Sequence, residues 1–347
     1  VLVIVGFDEH SWTAVVAGAA ILGYQLQGIR LALLAGIGVG YLCVFGQWEP
    51  SLETLSFVLV CAPICFILGL GFGIWGYLNR TVEAALEPLL NCMQTLPHFS
   101  YLVPVMVLFG IGDHAGAVAT IIFATPPMIR LTILGLRKIS PDIVDSGLMS
   151  GCSKSQLLFK VLIPTARTDI LIGVNQVIMQ CLAMTTIAAF IGAKGLGFNL
   201  KVALNSLEIG KASEIGLCVV LIAVILDKYS LAWANKQKDY FSDLNFFQRY
   251  RPYIGFILLT LLAILLSYIG ALYFKGGINY LYYVPFDKGF TISPFIDAGI
   301  DWFWEAFFVH LNGFNVWLIT SVLVPMRDAY LGMPVISTFI LVMGAGY

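Results

Sequence analysis

The stretch Asp145–Pro164, DSGLMSGCSKSQLLFKVLIP, gathers acidic, basic and hydroxyl side chains into one island between long apolar runs. Its chemistry is not that of a catalyst. The nearest lookalike to a phosphate-cradling loop is Gly147–Ser155, GLMSGCSKS, but its Lys154 follows Ser153 rather than a glycine and the spacing from Gly147 is wrong. There is no HExxH, no GxSxG and no pair of carboxylates within an apolar run, and His10, His98, His114 and His310 are scattered. The seven cysteines contain no CxxC pair, and Cys61 and Cys65 sit one helical turn apart without a nearby histidine, so they read as small buried hydrophobes rather than metal ligands. What remains is mechanical: a polar loop that offers a soluble partner a docking surface, with the energy source elsewhere.

The loop has the elements for that task. Asp142 and Asp145 fall near a helix start after Pro141, where acids favour the helix dipole. Gly151 permits a tight reversal. Leu157, Leu158, Val161 and Leu162 make an apolar stripe at helical spacing in a second helical stretch, expected to stop at Pro164. The alternative is an ordinary amphipathic loop resting on a bilayer surface.

The elements around the loop are set by composition. The chain has 347 residues, 59% hydrophobic and 11% charged, against about 25% charged in an average soluble domain. Lipid offers no water to an irregular backbone, so the expectation is an all-α integral membrane protein, a polytopic helical bundle. The net charge of −1 argues neither way about nucleic acid, but no block of basic residues resembles an RNA or DNA surface, so no nucleic-acid partner is expected. A span needs roughly 20 apolar residues, which places candidates at 11–24, 28–45, 51–78, 84–111, 116–136, 168–191, 212–233 and 254–274, with a last one from about 333. Pro88, Pro97 and Pro104 fall in one span and predict a broken or kinked helix. With the 137–167 loop inside, 13 of the 19 basic residues lie on the inner side, so the positive-inside rule favours that orientation. Acids and bases cluster toward span ends, which disfavours an ion-coupled carrier and an intramembrane enzyme.

Residues 234–252 read as a hydrophilic inner linker, and 275–300 as an outer segment with headgroup-zone aromatics (Tyr280, Tyr282, Tyr283, Phe286, Phe290). Residues 301–325 could cross or lie flat; Trp302, Trp304, Trp317 and His310 favour an interfacial helix, Arg327 a crossing, and the interfacial helix is the expectation. Thr13–Tyr24 and Ile336–Tyr347 share apolar character and a Gly-Tyr ending, a faint internal repeat consistent with that parity. The chain begins at Val1 and ends at Tyr347 within apolar sequence, so it is expected to be part of a longer reading frame.

Several strings then occur in order: RLAL (Arg30–Leu33), ETL (Glu53–Leu55), MQTLP (Met93–Pro97), LFGIG (Leu108–Gly112), PPMIRLT (Pro126–Thr132), QLLFKV (Gln156–Val161), GVNQ (Gly173–Gln176) and IGAKGLG (Ile191–Gly197). On these, residues 28–233 resemble the permease subunit of ABC importers for glycine betaine and proline, whose bundle is of the type I importer kind. The family's coupling pattern (Glu-Ala-Ala, three residues, Gly, nine residues, Ile-x-Leu-Pro) falls on Asp145-Ser146-Gly147, Gly151 and Val161-Leu162-Ile163-Pro164, with the first triplet softened.

The resemblance implies that Asp145, Gly147, Gly151 and Pro164 shape a coupling helix that sits in a groove of a separate ATPase subunit, with Lys154 and Gln156 on its polar face. ATP is then bound by the partner, and the chain itself carries no cofactor and no metal. A periplasmic or tethered binding protein delivers solute, a second permease unit, fused or dimeric, completes the pathway, and membrane lipid surrounds a bacterial inner-membrane protein. Residues 1–233 are expected to be the C-terminal part of a first permease unit (core 51–233, coupling loop 137–167), 234–253 a cytoplasmic linker, and 254–347 the start of a second unit in a tandem fusion, cued by Asp301-Trp302. Asn175, Gln176 and Met184 are candidate pathway residues, uncharged polar groups and a thioether suiting a zwitterion; Asn175 and Gln176 could equally bond neighbouring helices. Residues Gly192–Phe198 are a candidate outer gate or binding-protein contact, or turn chemistry alone. Choline, carnitine and taurine remain alternative solutes, and an energy-independent channel an alternative activity.

Overall fold

A computed structural model describes residues 12–235 and 290–332, with Leu258 and Leu265. Among the described residues the regular structure is entirely helical. The chain divides into two compact units, Val1–Thr291 and Ile292–Tyr347.

The first unit opens with a hairpin, α1 (Trp12–Gln27) and α2 (Ile29–Val44), turning at Gly28. Each has 16 residues, or about 24 Å, short of a ~30 Å hydrocarbon core. The Tyr229 hydroxyl ties the hairpin to the bundle by donating to Ala19 O at 2.5 Å. Helix α3 (Trp48–Leu78) follows, then α4 (Arg80–Thr95) and α5 (Phe99–Phe109), then α6 (Asp113–Arg137). Helices α4 and α5 are one apolar passage bent by 100°. The bend falls where the sequence predicts it: Leu96 is extended ahead of Pro97, the conformation that proline favours in the residue before it.

Helix α7 (Pro141–Met149) is joined through Gly151 to a second run over 154–165, called α8, and then to α9 (Arg167–Ala188), continued by a 3-10 turn, Ala189–Ile191. Helices α10 (Leu196–Asn205) and α11 (Ile209–Asn235) complete the first unit. Pro164 does not stop α8. The run carries a π segment, Leu157–Leu162, in which Ile163 N–H bonds Leu158 O five residues back. That wider turn accommodates the missing N–H and the ring of Pro164, so the helix ends at Ala166 instead.

Helices α3, α6, α9 and α11 form the core. Lipid tails supply no net hydrophobic drive for helices to associate, so close van der Waals packing must. Small residues permit it. A Cβ at Gly73 would lie 2.5 Å from Thr132 Cβ, and one at Gly173 2.7 Å from Met128 Sδ. Cys61, Cys65 and Cys181 are fully buried in this seam, as small hydrophobes should be, whereas Cys92 is exposed on α4.

Helix direction follows from the contacts. Thr54, near the start of α3, meets Leu196, and Gly76, near its end, meets Ile133. Arg30, Arg80, Arg130, Arg137, Lys138, Lys154, Lys160, Arg167 and Lys228 therefore gather toward one end of the unit, and Lys194, Lys201 and Lys211 lie at the other. The positive-inside rule puts the first end in the cytoplasm.

In the second unit, α12 (Ser293–Leu318), a π turn (Ile319–Leu323) and α13 (Val324–Gly332) make one helical run. Ser293–Ala329, 37 residues, meets the length and hydropathy of a crossing, where a shorter helix lying in the interface was expected. The expected span at 254–274, the aromatics Tyr280 to Phe286, the linker beyond Asn235 and the Ile336–Tyr347 repeat lie outside the described residues.

Candidate functional site

The 140–164 loop folds into a packed knob. Leu158 and Leu162, 8% and 4% exposed, anchor α8 in the main core. Helix α7 rests on α8 at Gly147, which is buried; a Cβ there would stand 2.6 Å from Leu157 Cδ1 and 3.5 Å from Val161 Cγ2. Gly151 turns the chain with φ 77°, in the left-handed region, and its N–H bonds Leu148 O at 2.9 Å.

Ser153 then starts α8 with a reciprocal cap. Its hydroxyl accepts from Gln156 N–H at 3.3 Å and its own N–H donates to Gln156 Oε1 at 3.0 Å. Gln156 thus has a local structural partner, and Ser153, not singled out from sequence, has a matching role. The S-x-x-Q spacing was the signal for it. Asp145, Lys154 and Pro164 are exposed. Beside them Leu148, Met149 and Phe159 are 52%, 90% and 62% exposed, giving the knob an apolar outer rim among polar groups, the composition of an interface core.

Two ion pairs fasten the end of α6 that precedes the knob. Lys138, just past α6, lies 3.6 Å from Asp169 on α9, and Arg137 pairs with Glu83 on α4. Helix α7 follows α6 directly and α8 leads into α9, so the knob is continuous with both helices.

The three expected pathway residues fall in different settings. Gln176 is exposed on α9. Asn175 is 7% exposed and donates from Nδ2 to Asp227 Oδ1 on α11 at 3.0 Å. Met184 is fully buried in a cluster with Leu102, Val105, Ala115 and Ala119. Sequence reasoning missed α4. It is amphipathic yet belongs to the bent passage, with Glu87, Asn91, Gln94 and Thr95 exposed and Leu90 alone buried. Arg130 donates to Asn91 Oδ1, holding this polar face against α6. A polar helical face inside a membrane passage is tolerated where it meets water or another protein surface, not lipid. The signal was the run EAALEPLLNCMQT (Glu83–Thr95), whose polar residues recur at helical spacing.

At the far end, Gly192–Phe198 is a packed junction. Lys194 N–H donates to Asp113 Oδ1 at 2.8 Å, Leu196 N–H to Thr54 Oγ1 at 2.9 Å, and Gly112 N–H to Ile191 O at 2.9 Å. Lys201 Nζ lies 5.4 Å from the Phe190 ring centroid, within cation–π range. Among the described residues no group of three or more His, Cys, Asp or Glu side chains could hold a metal.

Residues 66–280 match the family described as binding-protein-dependent transport system inner membrane component. The chain is 57% identical over 336 residues to the trimethylamine N-oxide transport system permease protein TmoV of Pelagibacter ubique, covering 97% of this chain and 47% of that protein. It is 40% identical over 215 residues to the glycine betaine/proline betaine transport system permease protein ProW of Escherichia coli, covering 61% of this chain and 60% of that protein. The chain thus spans about half the length of the first of these relatives. Among solved structures, the inward-facing MetNI methionine ABC transporter aligns with TM-score 0.48 and 19% identity over 52% of this chain and 91% of that one. The family match is a single segment, and it does not support the expected second permease unit from residue 254. With well over half of its residues in that match, and with helices of spanning length and a basic end to orient them, the chain belongs to the binding-protein-dependent transport inner-membrane components, as an all-α multi-pass permease of the inner membrane.

Proposed function

We propose that this chain is the permease part of an ATP-driven importer for small zwitterions with a trimethylated cationic nitrogen, trimethylamine N-oxide and glycine betaine among them. The observation that carries the reading is the 57% identity, over 97% of this chain, to a trimethylamine N-oxide permease protein. The betaine permeases near 40% support the same solute class. These solutes share a permanent positive charge beside a negative oxygen, so a fully charged pocket would hold them too tightly for passage.

In this reading the 140–164 knob docks on a separate ATPase subunit, which binds the ATP. Asp145 and Lys154 provide its charged rim, Leu148, Met149 and Phe159 its apolar contact, and Gly147, Gly151, Gln156 and Pro164 its shape. A substrate-binding protein delivers solute to the opposite end, where Gly192–Phe198 joins α3, α6 and α9. The pathway runs along the polar face of α4, with Glu87, Asn91 and Gln94, and Gln176 contributes from α9. Asn175 and Met184 are enclosed in this conformation and reach the pathway only if α5 or α11 moves. A second permease unit supplies the opposite wall.

The test is reconstitution of the full-length protein with its ATPase and binding protein in liposomes. ATP-dependent accumulation of trimethylamine N-oxide or glycine betaine is expected, with none when the ATPase is omitted. Equal flux without ATP would establish an energy-independent channel instead, and ATP-driven uptake of choline or taurine alone would overturn the solute assignment.

A further inference from the structure

An apolar recess lies apart from the knob's outer rim. It is a groove of about 570 Å³ between α3, α9 and α11, walled by Phe66, Val174, Ile178 and Leu226, with Arg167 and Trp233 among its lining residues. From Arg167 to Ile178 it follows α9 for eleven residues, roughly 16 Å, the scale of one acyl chain. Pro63 lines it on α3 and has no N–H to give the carbonyl of Leu59, which lines it too.

The two polar members of the wall sit together at the cytoplasmic end. Arg167 opens α9 and Trp233 lies two residues from the close of α11. Trp233 is 51% exposed, as expected of an indole at headgroup depth. Arg167 is half-buried, and among the described residues no carboxylate pairs with it; the nearby Asp169 is engaged by Lys138. A half-buried guanidinium with no internal anion, at the membrane interface and at the mouth of an apolar slot, calls for an external anion attached to hydrocarbon.

We propose that this groove binds one anionic phospholipid of the inner leaflet, its acyl chain along α9 and its phosphate on Arg167. Ile163 and Pro164 of the coupling loop line the same groove, so the lipid touches the end of the knob that leads into α9. The site does not depend on which solute is carried.

The experiment uses the full-length protein, delipidated in neutral detergent and titrated with dioleoyl phosphatidylglycerol or dioleoyl phosphatidylcholine, with bound lipid counted by native mass spectrometry. The wild type is expected to prefer phosphatidylglycerol by about fivefold, the effect of one basic residue at a membrane surface. Arg167→Gln should erase the preference and Arg167→Lys keep it. Val174→Trp should lower retention of both lipids, and glycerophosphoglycerol without acyl chains should not compete. The proposal falls if Arg167→Gln keeps the preference, if Val174→Trp leaves retention unchanged, or if a cysteine placed at Leu59 cross-links to a second copy or to another segment of the protein.

Discussion

Asn175 and Asp227 meet across α9 and α11, amide nitrogen to carboxylate at 3.0 Å, each well inside its helix. The carboxylate also lies 3.8 Å from Lys228, whereas Asn175 Oδ1 is enclosed without a donor among the described residues. The bond fixes the register of the two helices and leaves one acceptor unsatisfied. A double-mutant cycle with Asn175→Ala and Asp227→Ala, read by thermal unfolding in detergent, should give a coupling of about 0.6 kcal/mol and at most about 1.7 kcal/mol, the average and maximum for polar pairs between membrane helices. Zero coupling together with altered solute selectivity would make Asn175 a pathway residue instead.

Gly147 tests how α7 is seated. Its missing Cβ leaves room for Leu157 Cδ1, the far end of a flexible side chain. Gly147→Ala should therefore be accommodated by a rotamer shift, while Gly147→Leu should prise α7 off α8. Overpacking of this kind costs about 1–3 kcal/mol. The expected result is near-normal uptake for alanine and collapsed uptake with preserved membrane expression for leucine. Equal uptake by both variants would mean α7 is not held at this contact.

Gly151 isolates a different cause. Nothing lies within 4 Å of a Cβ built there, so only the backbone at φ +77° resists substitution. The left-handed conformation costs a non-glycine residue roughly 1–2 kcal/mol, less for asparagine and more for a β-branched residue. Uptake should therefore fall in the order Gly151→Asn, Gly151→Ala, Gly151→Val. An order that tracks side-chain bulk instead, with Gly151→Ala retaining more uptake than Gly151→Asn, would point to a partner surface pressed against this position.

The long apolar runs made α3, α6, α9 and α11 legible to within a few residues, because hydropathy and length suffice for a helix in lipid, whereas the aromatic residues of 301–325 pointed to an interfacial helix where the run Ser293–Ala329 has the length of a crossing. The bend at Pro97 was legible for the same kind of reason: proline acts locally. The turn at Gly151 and the buried leucine stripe were readable because a polar island between apolar runs has few structural explanations. Pro164 misled because its effect depends on a π turn formed upstream, which no local rule signals. Asn175 was recognised as polar, but its partner lies 52 residues away and only packing brings them together. The amphipathic face of α4 was hidden because 84–111 was read as one span, kinked at its prolines but apolar; its polar residues were legible at a period of 3.6 and were averaged away.

Cys92 offers a direct check on that face. It is exposed on α4, while Cys43, Cys61, Cys65, Cys181 and Cys218 are buried and Cys152 is half-buried in the cytoplasmic loop. If α4 lines a watery passage, a charged, membrane-impermeant thiol reagent should modify Cys92 in the assembled transporter, with Cys152 reacting only from the cytoplasmic side. Mass spectrometry after labelling should find the five buried thiols intact. Saturating solute or a change of nucleotide state should alter the Cys92 rate severalfold, because alternating access must open and close the face it occupies. A Cys92 that resists a charged reagent yet reacts with a lipid-soluble one would place α4 against lipid. Its polar face would then need a protein partner to cover it.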